Sequence, residues 1–186
     1  MAPSTRSAQE IPELGGKKLR RSTSITIAAM FAALYAVITI LETTLGGPIT
    51  FGPIQVRVSD ALLPLAMVFG LPSAVGAFIG TVLANSYTGL GLIDIIFGSI
   101  ANLVACVLSA KFSRGNPIIA TLYPVVVVTA VVGSYLPIYF QGVPQWLLYA
   151  GVAGGEIIAC IVLGLPLLLA IRRYWGRTGK MEQRRE

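Results

Sequence analysis

Six apolar stretches, cut at polar residues or at Pro/Gly breaks, order this chain. The first runs from about Ser24 to Leu41. The second runs from about Asp60, or already from Gln55, to Phe69. The third covers about Pro72 to Asn85, after the break Gly70-Leu71-Pro72. The fourth covers about Leu90 to Phe112, the fifth Pro117 to Phe140 and the sixth Gln145 to Ile171. As helices rising about 1.5 Å per residue, the second and third are short for a hydrocarbon core of about 30 Å. Such helices tilt little, or end below the surface where they line a polar cavity. The pattern predicts an all-α membrane protein, a six-transmembrane-helix bundle over residues 22–173. A basic cytosolic tail over 1–21, read as disordered, precedes it, and a second basic cytosolic tail over 174–186 follows.

Composition agrees. Of 186 residues, 55% are hydrophobic and 12% charged, against about 25% charged in soluble domains. The apolar run after Lys17-Lys18-Leu19-Arg20-Arg21 imitates a signal peptide. No small-residue cleavage site follows before Glu42, so the run reads as the first span. The basic residues occupy the tails and one loop without interleaved aromatics, which argues against nucleic acid as a partner. Cys106 and Cys160 sit inside apolar runs, lack metal-ligand spacing and have no histidine to join them, so they read as small core residues. With no Walker-type phosphate loop, the chain has no ATP site of its own. It offers no catalytic cluster, so it does not read as an enzyme. Its halves show no inverted repeat of the secondary-transporter kind.

Charge sets the orientation. With six crossings, Lys17, Lys18, Arg20 and Arg21, then Lys111 and Arg114, then Arg172, Arg173, Arg177, Lys180, Arg184 and Arg185 all fall on one side, and Arg57 alone falls on the other. The positive-inside rule puts that basic side, and both termini, in the cytoplasm. Trp146, at the outer end of the sixth stretch, and Tyr174 and Trp175, at its inner end, fit the aromatic belts of a bilayer.

This topology gathers the acids in the outer half. Glu42 closes the first helix as a solvated end, Asp60 opens the second, Asn85 ends the third, Asp94 begins the fourth, and Glu156 lies about three turns into the sixth. Ionisable groups are costly in hydrocarbon, so they face the bundle interior, a partner or water. They converge on an outward-facing cavity, and no polar line continues into the inner half, which favours a binding cup over a channel. The linker Thr50–Leu65, with Arg57 and Asp60 in it, roofs that cavity. Arg57 and Asp60, three apart, can pair as a loop-pinning ion pair. Glu156, flanked by small residues in AGVAGGEIIAC, is either a ligand acceptor or the partner of Arg57. Its small neighbours admit a neighbouring helix or a flat ligand. Asp94, Gly98 and Asn102 share a helix face at i, i+4, i+8, suited to ligand contact or close packing, and Asp94 can also cap its helix. Ala28, Ala32 and Ala36, with Ala29 and Ala33, form a smooth stripe on the first helix toward its cytoplasmic end. The stripe serves either packing within the chain or a partner helix.

Three stretches carry a resemblance: ITFGPIQVRVSDALLPLAMVFG, GTVLANSYTGLGLIDIIFGSIANLVACVLSAKF and GGEIIACIVLGLPL. Over roughly Ser24 to Leu167 the chain resembles the queuosine-precursor transporter family, the substrate-binding (S) components of energy-coupling factor (ECF) transporters. The resemblance implies a six-helix S-component bundle with an outer ligand pocket roofed by the loop after the first helix. It implies a membrane scaffold (T) subunit and two cytosolic ATPases as partners, which use the ATP, and no cofactor on this chain. It implies that the alanine pattern Ala28, Ala29, Ala32, Ala33 and Ala36 meets the T subunit, and that the S component topples in the membrane to deliver its ligand. It implies a prokaryotic cell membrane and a 7-deazaguanine base as ligand. A carboxylate accepts the N1–H and exocyclic amine of such a base as a bidentate, charge-assisted pair. Glu156 is the first choice for this and Asp94 the alternate. Asn85, Asn102 or Gln55 would read the carbonyl edge, with Arg57 beside them, and Tyr87, Phe51 or Phe97 would stack on the ring. The competing readings are an S component for another vitamin-like molecule, an autonomous small transporter or channel, and a membrane enzyme acting on a lipid-like substrate.

Overall fold

The computed structural model describes residues 21–88 and 90–182. Most of the two tails set apart in the sequence lies outside these residues. Among the described residues all regular structure is helical. The segments are α1 (Arg21–Gly46), α2 (Pro48–Phe51), α3 (Val58–Phe69), α4 (Leu71–Thr88), α5 (Asp94–Phe112), α6 (Pro117–Ile138) and α7 (Gln145–Tyr174). Each of the six apolar stretches is helical, and the four-residue α2 adds a turn that hydropathy did not foresee. Helices α1, α5, α6 and α7 are long and apolar enough to cross a membrane. The expected count of six spans reaches beyond these four.

Local chemistry fixes the ends. Gly70, at φ 70°, adopts the left-handed conformation that closes α3, and its N–H bonds the Ala66 carbonyl. The Asn116 side chain accepts from the Ile118 N–H at the start of α6, with Pro117 at the first helical position. Several hydroxyls inside apolar helices bond back to the preceding turn, as Thr39 does to the Tyr35 carbonyl and Thr81 to that of Ala77, and are thereby satisfied without water.

Helix α3 is the centre of the molecule. It begins as a tight 3₁₀ stretch, Val58–Leu65, of which every residue from Ser59 to Leu65 is buried. It packs against α1, α5, α6 and α7. A helix buried all round need not span, which accounts for its length. Around it, side chains such as Leu34, Val37, Ile100, Val126 and Val162 point outward and are exposed, giving the surface that lipid requires.

Glycines set the closest approaches. A Cβ at Gly76 or Gly80 of α4 would run into the backbone carbonyl of Ala28 or Ala32 of α1. The α1–α4 contact is therefore a small-residue seam. On α7, a Cβ at Gly151 or Gly155 would overlap the carbonyl of Pro53 or Gln55. Gly151 and Gly155, before Glu156, are thus not the seat of a neighbouring helix. They admit the backbone of the α2–α3 loop.

Candidate functional site

The buried polar groups form two joined clusters. The first centres on Asp60, in the opening turn of α3. The Tyr35 hydroxyl donates to Asp60 Oδ1. Asn102 Nδ2 reaches the Tyr35 hydroxyl at 2.8 Å and Thr81 Oγ1 at 2.9 Å. One network therefore ties α1, α3, α4 and α5 together. From α7, Cys160 Sγ stands 3.4 Å from both the Asp60 carbonyl and Glu156 Oε2, so the thiol links Glu156 to the opening turn of α3. At the edge of this cluster Glu42 accepts the Ser59 N–H at 3.1 Å. A free N–H in the first turn of a helix calls for an acceptor, so Glu42 caps α3 and is not the solvated helix end expected of it.

The second cluster centres on Asp94. Arg57 Nη2 lies 3.7 Å from Asp94 Oδ1, and both side chains are buried. Tyr135 donates its hydroxyl to the same oxygen at 2.6 Å, and Asn85 Nδ2 donates to the Asp94 carbonyl at 2.9 Å. The Arg57 guanidinium lies over the Phe51 ring, 4.2 Å from its centroid, a cation–π contact. Its Nε donates to the Thr50 carbonyl at 3.4 Å. A Cβ at Gly98 would come within 2.9 Å of the Asn85 amide and 3.3 Å of the Tyr135 hydroxyl, so this glycine makes room for the polar groups. Arg57 thus pairs across the bundle with Asp94. The expected ion pair with Asp60, three residues away, does not form; Asp60 is held by Tyr35 and Asn102.

Wide helical turns occur at both acids. Asp94–Gly98 is a π-turn at the start of α5, and Ile157–Gly164 is a π-stretch that begins just after Glu156. Such turns break the 3.6-residue repeat and often mark functional positions. Here the first modifies the i, i+4, i+8 face read for Asp94, Gly98 and Asn102. All three are buried, but they divide between the clusters: Asp94 meets Arg57, and Asn102 meets Tyr35 and Thr81.

Between the clusters lies a small cavity of about 10 Å³, lined by Gln55, Arg57, Val128, Val132, Val152 and Glu156. Gln55 is 5% exposed, and neither its amide oxygen nor its amide nitrogen has a hydrogen-bond partner. Buried amides are almost always bonded, so this one is an open position on the cavity wall. The wall offers donors from Arg57, acceptors from Glu156, both from Gln55, and an apolar side of three valines. Gln55, Arg57 and Glu156 are the candidates that the fold brings together. Asp94, Asn85 and Phe51 support Arg57, and Asn102 supports Asp60. Tyr87 and Phe97, read as stacking residues, are 58% and 50% exposed and do not line the cavity. The sequence reading missed Tyr35, Tyr135 and the valine wall. It noted Cys160 only as a core residue.

The alanine stripe also divides. Ala32 and Ala36 are buried, with Ala28 and Ala32 carbonyls against Gly76 and Gly80, so this line serves packing within the chain. Ala29 and Ala33 are exposed.

Four membrane-length helices around a buried cluster of charges define a multi-pass membrane protein. The profile of the QueT transporter family matches residues 25–173, and the chain belongs to that family. No curated protein and no solved structure matches the chain. The family is one of membrane transporters.

Proposed function

We propose that this chain is the substrate-binding membrane subunit of an ATP-driven ECF importer, and that it captures a queuosine precursor, a 7-deazaguanine base, from outside the cell. The observation that carries this reading is the unpartnered amide of Gln55 on a cavity wall shared with Arg57 and Glu156. A guanine-like base presents donors on one edge and an acceptor on the next. Glu156 supplies acceptors for the N1–H and exocyclic amine, while Arg57 and Gln55 supply donors for the carbonyl. The three valines cover a ring face. The cavity holds about one water, so a base enters by moving the loop that carries Gln55 off the α7 glycines.

The remaining parts of the reading rest on the sequence. Six crossings with the basic residues inside put both termini in the cytoplasm of a prokaryotic cell and the cavity in the outer half of the membrane. The chain binds no cofactor; ATP is used by two cytosolic ATPases joined through a T subunit. The exposed pair Ala29 and Ala33 is the part of the alanine pattern left for that subunit.

Titration of the purified protein with 7-cyano-7-deazaguanine, 7-aminomethyl-7-deazaguanine, queuine, guanine, riboflavin and biotin tests the ligand class. Tight binding of a deazaguanine with guanine much weaker is expected. Binding of riboflavin or biotin in its place would leave an S component with a different ligand.

A further inference from the structure

Two buried, free cysteines brace the central helix. Cys106 of α5 turns its thiol to the Leu63 carbonyl at 3.6 Å, and Cys160 of α7 turns its own to the Asp60 carbonyl at 3.4 Å. Both acceptors lie in the 3₁₀ opening of α3, just ahead of Pro64. Proline has no N–H to give the carbonyls one turn back, so donors from neighbouring helices suit that stretch. The two thiols differ in what else they meet. Cys160 Sγ also stands 3.4 Å from Glu156 Oε2, inside the π-stretch that follows Glu156. Glu156 lines the cavity, whereas Cys160, Cys106 and Leu63 do not, so Cys160 holds the Glu156 carboxyl from behind. Arg57, on the same cavity wall, is paired with Asp94. That wall also carries the buried amide of Gln55, neither polar atom of which is bonded, the mark of a wall that a ligand completes. A thiol has one proton to give. Of its two acceptors the carboxylate makes the stronger, charge-assisted bond.

We propose that Cys160 is a positioning residue for the ligand: its thiol donates to Glu156 Oε2 and fixes the carboxyl with its remaining lone pairs toward the cavity. The inference rests on the reading of Glu156 as the ligand's acceptor, and adds what holds that acceptor in place. A carboxylate has about four lone-pair sites. One taken by the thiol leaves enough for the N1–H and exocyclic amine of a base. Those donors draw on the same carboxylate, which becomes a weaker acceptor for the thiol once the base is bound. The S–H bond then strengthens, whether the thiol keeps facing Glu156 or turns to the Asp60 carbonyl. Cys106 meets its acceptor away from the cavity and feels none of this.

The S–H stretch of a thiol absorbs in an infrared window clear of other protein bands. Spectra of the full chain in detergent are recorded with and without 7-aminomethyl-7-deazaguanine, and Cys106→Ala and Cys160→Ala assign the two bands. The base is expected to move the Cys160 band to higher frequency and to leave the Cys106 band in place, an asymmetry that two merely structural cysteines would not give. Calorimetric titration of Cys160→Ala is expected to show binding about fivefold weaker than that of the wild type, a ratio equivalent to about 1 kcal/mol. A Cys160 band that stays still while the base binds, or a Cys160→Ala protein that binds as tightly as the wild type, overturns the proposal and leaves the reading of Glu156 standing. Failure of the base to bind the wild type overturns that reading and the proposal with it. Should Cys160→Ala fail to fold, Cys106→Ala assigns the bands and the shift decides alone.

Discussion

Tyr35 shows at the scale of one residue how this protein keeps charge inside an apolar bundle. Its hydroxyl donates to Asp60 and accepts from Asn102, so a single oxygen joins α1 to α3 and α5. Tyr35→Phe keeps the ring and removes that oxygen, leaving a buried carboxylate short of a donor. Thermal unfolding in detergent should show a loss of about 1–3 kcal/mol; an unchanged transition would contradict the network described. The acids and Arg57 were legible in the sequence because charges inside apolar runs are rare and must face inward. Their partners were not. Arg57 could be paired with Asp60 by spacing or with Glu156 by depth, but Asp94 was out of reach of either argument. Nor could hydropathy tell Tyr35 and Tyr135, which face buried carboxylates, from Tyr87, which is exposed.

Among the elements, the loop from Pro53 to Val56 and its seat on α7 decide whether a site exists. Gly155→Val would drive a side chain into the Gln55 carbonyl and push the loop off the helix. Ligand binding should be lost while circular dichroism keeps its helical signal. Its neighbour Gly154 meets nothing within 4 Å, so Gly154→Ala should bind normally and gain about 0.5–1 kcal/mol in stability, the helical preference of alanine over glycine. Equal behaviour of the two variants would contradict the seating of the loop. The six helical stretches were legible from hydropathy, and the shortness of the second was visible too. The sequence could not tell that α3 is short because it is wrapped on all sides. It also could not tell what the glycines of α7 admit, since small residues signal close approach without naming what approaches. The π-turns at Asp94 and after Glu156 carry no sequence signature, and they undo a face read at 3.6 residues per turn.

On the scale of the whole molecule, the account predicts a division between capture and delivery. A large residue at Ala32 would break the α1–α4 seam, so coupling to a partner is tested on the exposed pair. Ala29→Trp and Ala33→Trp should leave binding by the purified protein unchanged and lower uptake of the base by cells. Undiminished uptake would favour an autonomous carrier. The membrane class of the protein was legible from composition alone, and its family from three long stretches of sequence. The matched span, residues 25–173, takes in both polar clusters and the cavity between them.

The central claim is that Glu156, with Gln55 and Arg57, holds a guanine-like base through its donor edge. The most direct measurement is a paired calorimetric titration of wild type and Glu156→Gln with 7-aminomethyl-7-deazaguanine. Glutamine keeps the shape of glutamate, but it replaces an acceptor-only carboxylate with an amide that turns a donor toward the donors of the base. Loss of the charge-assisted pair, worth about 1.5–3 kcal/mol, should weaken binding by about one to two orders of magnitude. A Glu156→Gln protein that binds the base as tightly as the wild type would contradict the account.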